Sequence, residues 1–186
     1  MLNSFYDKFI FTNGLQYRRN NFFLLNMPFA ILPIDILVGI AEKEDKELNI
    51  KLYYAVKESI KNAVRQDFQV DFGAQGERGL DFMQTFFSAS GWGKIERTDL
   101  KPGLAHALVT ITDSPVAKNA KNSKNPADTF MRGILAGIFS IYFKKDVDCV
   151  ETTCACQNAN QCDFVIKPLA EFDFEKKIAR EQLRVE

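Results

Sequence analysis

The stretch Val147-Asp148-Cys149-Val150-Glu151-Thr152-Thr153-Cys154-Ala155-Cys156-Gln157-Asn158-Ala159-Asn160-Gln161-Cys162 holds all four cysteines of the chain. Period-two alternation sends Val147, Cys149, Glu151 and Thr153 to one strand face and Asp148, Val150 and Thr152 to the other. With Cys162 to Lys167 as its partner, the strand from Asp146 to Thr153 forms a hairpin closed around the cysteine loop. Glu151 lies three residues before Cys154, and Cys162 follows eight residues later. A strand-end carboxylate and two thiolates in that order can converge on one ion, because Zn²⁺ takes borderline N, S and O donors tetrahedrally. Cys149 and Cys156 are available as further ligands. The spacing is not the paired C-x-x-C of a zinc ribbon, so buried free thiols and a labile disulfide stand beside the metal reading.

Working outward, Gly133 and Gly137 fall four apart within a helical pattern from about Ala127 to Phe143, a smooth stripe on which another backbone can lie. Each glycine costs about 1 kcal/mol of helix stability relative to Ala, so a packing reason is expected, either inside the chain or at a subunit interface. Upstream, Lys94 to Asp99 and Ala105 to Thr112 read as strands around the turn Lys101-Pro102-Gly103. Gly79 to Ser90 and Lys46 to Gln66 read as core-facing helices, and Asp35 to Lys43 as a short one. An opening hairpin is predicted from Phe5 to Phe11 and Leu15 to Leu25, joined at Thr12-Asn13-Gly14. Gly73-Ala74-Gln75-Gly76-Glu77-Arg78-Gly79 lacks the dinucleotide spacing and reads as a helix-leading turn. The segment from Glu171 to Glu186 is a helix or a loosely held tail. The order ββ, helices, ββ, helix, ββ gives an α+β class: an antiparallel sheet packed against several helices, with a C-terminal metal-binding hairpin.

The 186 residues suit one domain, 1–186, with no linker-like stretch to divide it. Lys+Arg and Asp+Glu are both 24, so no net field draws nucleic acid or an anionic membrane. The Lys118 to Asn125 stretch alternates Lys with Asn and Ser, without aromatics for base stacking, and reads as a solvated loop. No apolar run approaches the ~20 residues of a membrane span, and no export signal opens the chain, so the expected location is cytoplasmic.

Thr129-Phe130-Met131-Arg132-Gly133-Ile134-Leu135-Ala136-Gly137, the strand with Glu151-Thr152-Thr153-Cys154, and Cys162-Asp163-Phe164 together resemble the C-terminal signature of the 4-vinyl reductase domain family. The resemblance covers Asp128 to Lys167. That family is similar to the sensor domains of bacterial aromatic-responsive activators and, more distantly, to Golgi transport-particle subunits. The resemblance implies a zinc held by a Glu and two Cys of this hairpin and by a third Cys just ahead of the glycine helix. Glu151, Cys154 and Cys162 match three of those positions, and the fourth falls at Asp128. Aspartate is a competent oxygen ligand, and Cys156 is a nearby substitute.

Seventeen Phe, five Tyr and one Trp exceed what a small core requires, and aromatic walls suit small apolar ligands. Phe86, Phe87 and Trp92 are the expected lining of such a cavity, with His106 as one polar group in it. The single His and the lack of a nucleophile–base pairing give hydrolysis no support. The favoured function is binding or sensing of an apolar or aromatic small molecule, in a homodimer with a structural zinc. A tetrapyrrole vinyl-group reductase or its accessory, and a dimeric scaffold, are the alternatives.

Overall fold

The structure is a computed structural model and describes residues 15–24, 27–63, 80–81, 84–85, 87–88, 90–121 and 123–184. The expected strand at Phe5 to Phe11, the turn at Gly73 to Gly79, and Phe86 lie outside the described residues.

A three-stranded meander of β1 (Leu15–Arg18), β2 (Asn21–Leu24) and β3 (Met27–Phe29) opens the described chain. The expected single strand from Leu15 to Leu25 is broken at Arg19-Asn20, whose φ angles of 50° and 64° form a two-residue hairpin turn. Helices α1 (Ile34–Glu42) and α2 (Lys46–Ala63) follow. Leu80, Gln84 and Phe87 are helical and share one face by their spacing.

The main sheet is antiparallel, in the order β4-β5-β7-β6: β4 (Lys94–Lys101), β5 (His106–Thr112), β6 (Asp148–Thr153) and β7 (Cys162–Lys167). Its inner face carries Ala107, Val109 and Ile111 paired with Ile166, Phe164 and Cys162. A bulge between Ile95 and Arg97 lets both Ile95 and Thr98 point inward, although they are an odd number of residues apart. Between β5 and the next long helix, Pro115–Asn119 forms the short helix α3, within a stretch expected as loop. Ser114 caps it, its Oγ accepting from the Ala117 N–H at 3.3 Å.

Helix α4 (Thr129–Phe143) is buried along nearly its whole length, as an all-round apolar helix in the centre of a fold should be. It lies between α2 and the sheet. The glycine stripe faces α2 of the same chain. A Cβ on Gly133 would stand 2.8 Å from Val56 Cβ and 2.9 Å from the Tyr53 carbonyl oxygen, and one on Gly137 would meet Ile60 and the Lys57 carbonyl as closely. The stripe is therefore spent on internal helix packing and lends no support to a subunit interface.

The C-terminal segment is no loose tail. Helix α5 (Lys177–Leu183) buries Ala179, Gln182 and Leu183. Gln182 covers the open edge of β6: its Oε1 accepts from the Glu151 N–H at 2.9 Å and its Nε2 donates to the Glu151 carbonyl at 2.8 Å. Further along the same edge, the Cys149 N–H donates to the Tyr53 hydroxyl at 2.9 Å. Two side chains thus occupy ladder positions that would otherwise be free for another strand. Beside them Lys57, 2% exposed, donates to both Asp146 and Asp148 at 2.9 Å.

Candidate metal centre and ligand cleft

In an unbroken strand Glu151 and Cys154 would point to opposite faces. The register shift between Glu151 and Thr153 removes that conflict, re-aiming the chain beside the cluster. One donor atom each from Glu151, Cys154 and Cys162 then lies within 4.8 Å of the others, and all three residues are buried. Cys162 opens β7, and a 3₁₀ turn at Ala155–Gln157 carries the chain away from Cys154. Cys149, on the inner face of β6, is buried outside this group.

Asp128, 1% exposed, stands just ahead of α4, where its backbone N–H donates to Glu151 Oε2 at 3.0 Å. Its Oδ1 accepts from Ser114 Oγ at 2.9 Å, so the α3 cap fixes the carboxylate. Cys156 is half-buried, its sulfur 3.0 Å from that of Cys154 and 3.5 Å from the Asn125 carbonyl. Of the two fourth-ligand options, Asp128 is the buried one.

The polar atoms left over fit a cation. Asp128 Oδ2 and Glu151 Oε1 are buried without a hydrogen-bond partner, which costs free energy unless something else satisfies them. The sulfurs are prepared for negative charge: the Ala127 N–H donates to Cys154 at 3.5 Å and the Ala155 N–H to Cys162 at 3.3 Å. Hydrogen bonds from Cys156 and Cys162 hold the Cys154 thiol down to about 2, while the same bonds to Cys154 push Cys156 and Cys162 up. Burial lifts Asp128 to about 7, and burial and then the Asp128 charge lift Glu151 well above the usual carboxylate range. Without a cation the cluster keeps its negative charge on Cys154 and retains its other protons, whereas a divalent ion would let the remaining donors ionise.

A second feature is a narrow apolar cleft between α4 and the β4–β5 side of the sheet. It encloses about 270 Å³, open to solvent, between Leu80, Gln84 and Phe87 on one side, Ile95, Thr98 and Val109 on the sheet, and Leu135, Ile138 and Phe139 on α4. Of the residues expected to line a cavity, Phe87 does so. Trp92 does not; it stacks on Phe130 with ring centroids 5.8 Å apart and planes 7° off parallel. His106 falls on the opposite sheet face from Val109, where it pairs with Glu171. The polar element of the cleft is instead Gln84, whose Nε2 donates to Thr98 Oγ1 at 3.1 Å. Its sequence signal was a lone amide on the apolar face shared by Leu80 and Phe87.

Residues 108–168, from β5 through the end of the hairpin, match the model of the 4-vinyl reductase domain family. This segment is a 4-vinyl reductase domain. No curated relative matches the sequence. Among solved structures, the chain is similar to the phenol-responsive sensory domain of the transcription activator PoxR, determined with phenol: 12% identity, a TM-score of 0.73, and 98% of each chain covered. It is also similar to a vinyl-4-reductase family protein from Methanocaldococcus jannaschii at 17% identity and a TM-score of 0.51, over 75% of this chain and 83% of that one. At those identities the likeness is one of fold, and it extends well beyond the matched segment. Among the described residues no helix is long and apolar enough to cross a membrane.

Proposed function

We propose that residues 1–186 form a single cytoplasmic domain that binds and senses a small apolar or aromatic molecule, with a structural zinc clamping its C-terminal hairpin. The observation that carries the reading is the apolar cleft with one hydrogen-bonded polar pair, Gln84 and Thr98, in a chain that shares its fold with a phenol-responsive sensory domain over 98% of its length. Apolar walls with a few placed polar groups are what small-molecule sites use, and the volume suits a single ring at the lower end of such sites. A phenolic hydroxyl can replace either partner of the Gln84–Thr98 bond while its ring contacts Val109, Leu135 and Phe139.

Glu151, Cys154, Cys162 and Asp128 would hold the zinc, which when bound supplies a closed tetrahedral crosslink between the hairpin and the start of α4. Cysteine sulfur with carboxylate oxygen favours zinc over the harder cations. A homodimer, if formed, uses a surface other than the Gly133–Gly137 stripe, and light scattering at micromolar concentration tests for it.

Calorimetric titration of the metal-loaded protein with phenol and its methylated derivatives is the direct test. Saturable heat and a rise in melting temperature by mass action are expected. If none of these compounds gives either signal, the sensing reading falls.

A further inference from the structure

Away from both sites, a third cavity opens between the start of α2, the approach to α4, and α5. It encloses about 620 Å³, open to solvent, and is lined by Glu44, Lys46, Asn49, Asn125, Pro126, Thr129, Arg132, Ile178, Glu181 and Gln182. At its floor Arg132 projects from α4 with only 2% of its surface exposed. Among the described residues its guanidinium has no carboxylate within ion-pairing distance. Its contacts are Nη1 donating to the Gln182 carbonyl at 3.0 Å and the Tyr53 ring, 4.8 Å away. A buried cation in this state lacks the anionic partner that such groups ordinarily need.

A second, independent atom points into the same place. Asn49 Oδ1 is buried and has no hydrogen-bond partner. Whichever atom of the side-chain amide takes that position, a hydroxyl group can satisfy it, because a hydroxyl both donates and accepts.

We infer that this cavity binds a hydroxylated monocarboxylate, its carboxylate on the Arg132 guanidinium and its hydroxyl on Asn49. The planar guanidinium fork matches a carboxylate's two oxygens. Glu44 and Glu181 on the same walls disfavour anions of higher charge, and Glu44 is held in place by the Lys124 N–H at 2.8 Å. Ile178 and Pro126 leave part of the lining apolar for a short carbon chain. The site is separate from the cleft that holds Gln84, so its occupant and a phenol do not compete for the same residues.

The test uses the full chain, loaded with zinc, and four probes at equal ionic strength: L-lactate, propionate, phosphate and chloride. Two readouts are followed, the melting temperature and the ¹H–¹⁵N resonance of the Arg132 side-chain Nε. Lactate at millimolar concentration is expected to move both, propionate to bind about fivefold more weakly for want of the hydroxyl, and chloride and phosphate to move neither. Asn49→Ala should reduce lactate to the affinity of propionate and leave propionate unchanged. Arg132→Lys should abolish both responses. If that variant fails to fold, the wild-type Arg132 resonance still decides the matter. A motionless resonance under lactate, or equal responses to lactate and chloride, overturns the inference, and phenol binding stands or falls separately.

Discussion

The Asp128 N–H donates to Glu151 Oε2 at 3.0 Å, and the second oxygen of each of these two carboxylates, Asp128 Oδ2 and Glu151 Oε1, is buried without a partner. Two orphaned acceptors beside two converging sulfurs make this junction of α3, α4 and β6 the place where metal loading should show. Purified protein is expected to hold about one zinc per chain by native mass spectrometry. Cys154→Ser or Cys162→Ser should lose the metal and destabilise the fold by roughly 3 kcal/mol or more. Competition with a chelator separates the fourth ligand: Asp128→Ala should weaken zinc binding and Cys156→Ser should leave it intact. The opposite pattern would assign the position to Cys156. Protein that stays empty after refolding in zinc would remove the clamp altogether.

The glycines give a prediction with an internal control. Gly133→Ala places a Cβ 2.8 Å from Val56 and should cost about 1–3 kcal/mol by overpacking, more than the roughly 1 kcal/mol gained in helix propensity. Gly39, inside α1, has nothing within 4 Å of such a Cβ. There Gly39→Ala should stabilise by about 0.5–1 kcal/mol. Chemical denaturation of both variants compares them directly, and equal effects would contradict the packing account.

Gln182→Ala strips the partners from both the N–H and the carbonyl of Glu151. Each unsatisfied buried group costs about 1–3 kcal/mol, so the loss should be at least as large as that of an ordinary core truncation. Hydrogen exchange at the Glu151 amide should accelerate as well. Unchanged protection there would mean that α5 merely rests on the edge.

Acid sensitivity follows from the cluster around Lys57. Partial burial raises the Asp146 carboxyl, but hydrogen bonds from Lys61 and Lys57 outweigh it and hold the group below its usual value. A depressed folded-state carboxyl stabilises above the unfolded pKa, about 3.9, and that stabilisation is lost as pH falls through the lower folded value. Since Asp146 is largely exposed, Asp146→Asn should remove less than about 1 kcal/mol at neutral pH and flatten the acid limb. Lys57→Met is the severe change. It leaves the buried Asp148 with only the Tyr53 hydroxyl and should cost about 3–5 kcal/mol in thermal or urea unfolding.

For the cleft, Gln84→Leu and Thr98→Val each remove one half of the polar pair without emptying space. Phenol affinity should fall about 2- to 10-fold in either variant, while toluene, lacking the hydroxyl, should discriminate little between them and the wild type. His106→Ala, on the other sheet face, should leave phenol binding unchanged. Titration calorimetry on the four proteins reads these differences.

Much of the architecture was legible because periodicity and turn chemistry agree in it. The hairpin around the cysteines, the paired strands on either side of Pro102-Gly103 and the glycine helix all follow from local patterns. Three features were not. The turn at Arg19-Asn20 carries no glycine to announce its positive φ angles. The bulge beyond Glu151 is invisible to an alternation rule, yet it is what lets Glu151 and Cys154 meet. Whether an aromatic residue lines a cleft or stacks on a neighbour depends on distant partners, which is why Trp92 and Phe87 looked alike and ended in different surroundings. Gly133 and Gly137 likewise fitted two kinds of close approach until α2 was seen to lie on them.

The backbone contact between α2 and α4 also decides how the cleft can accommodate a guest. Interiors are packed too densely to absorb a ring without displacement, and the α4 wall of Leu135, Ile138 and Phe139 cannot retreat, because behind it Gly133 and Gly137 already lie against Val56 and Ile60. One jaw of the cleft is an anvil. Room for a bound ring has to come from the other jaw, the helical stretch carrying Leu80, Gln84 and Phe87, so occupancy is written as a movement of that stretch while the zinc-clamped half of the molecule stays still.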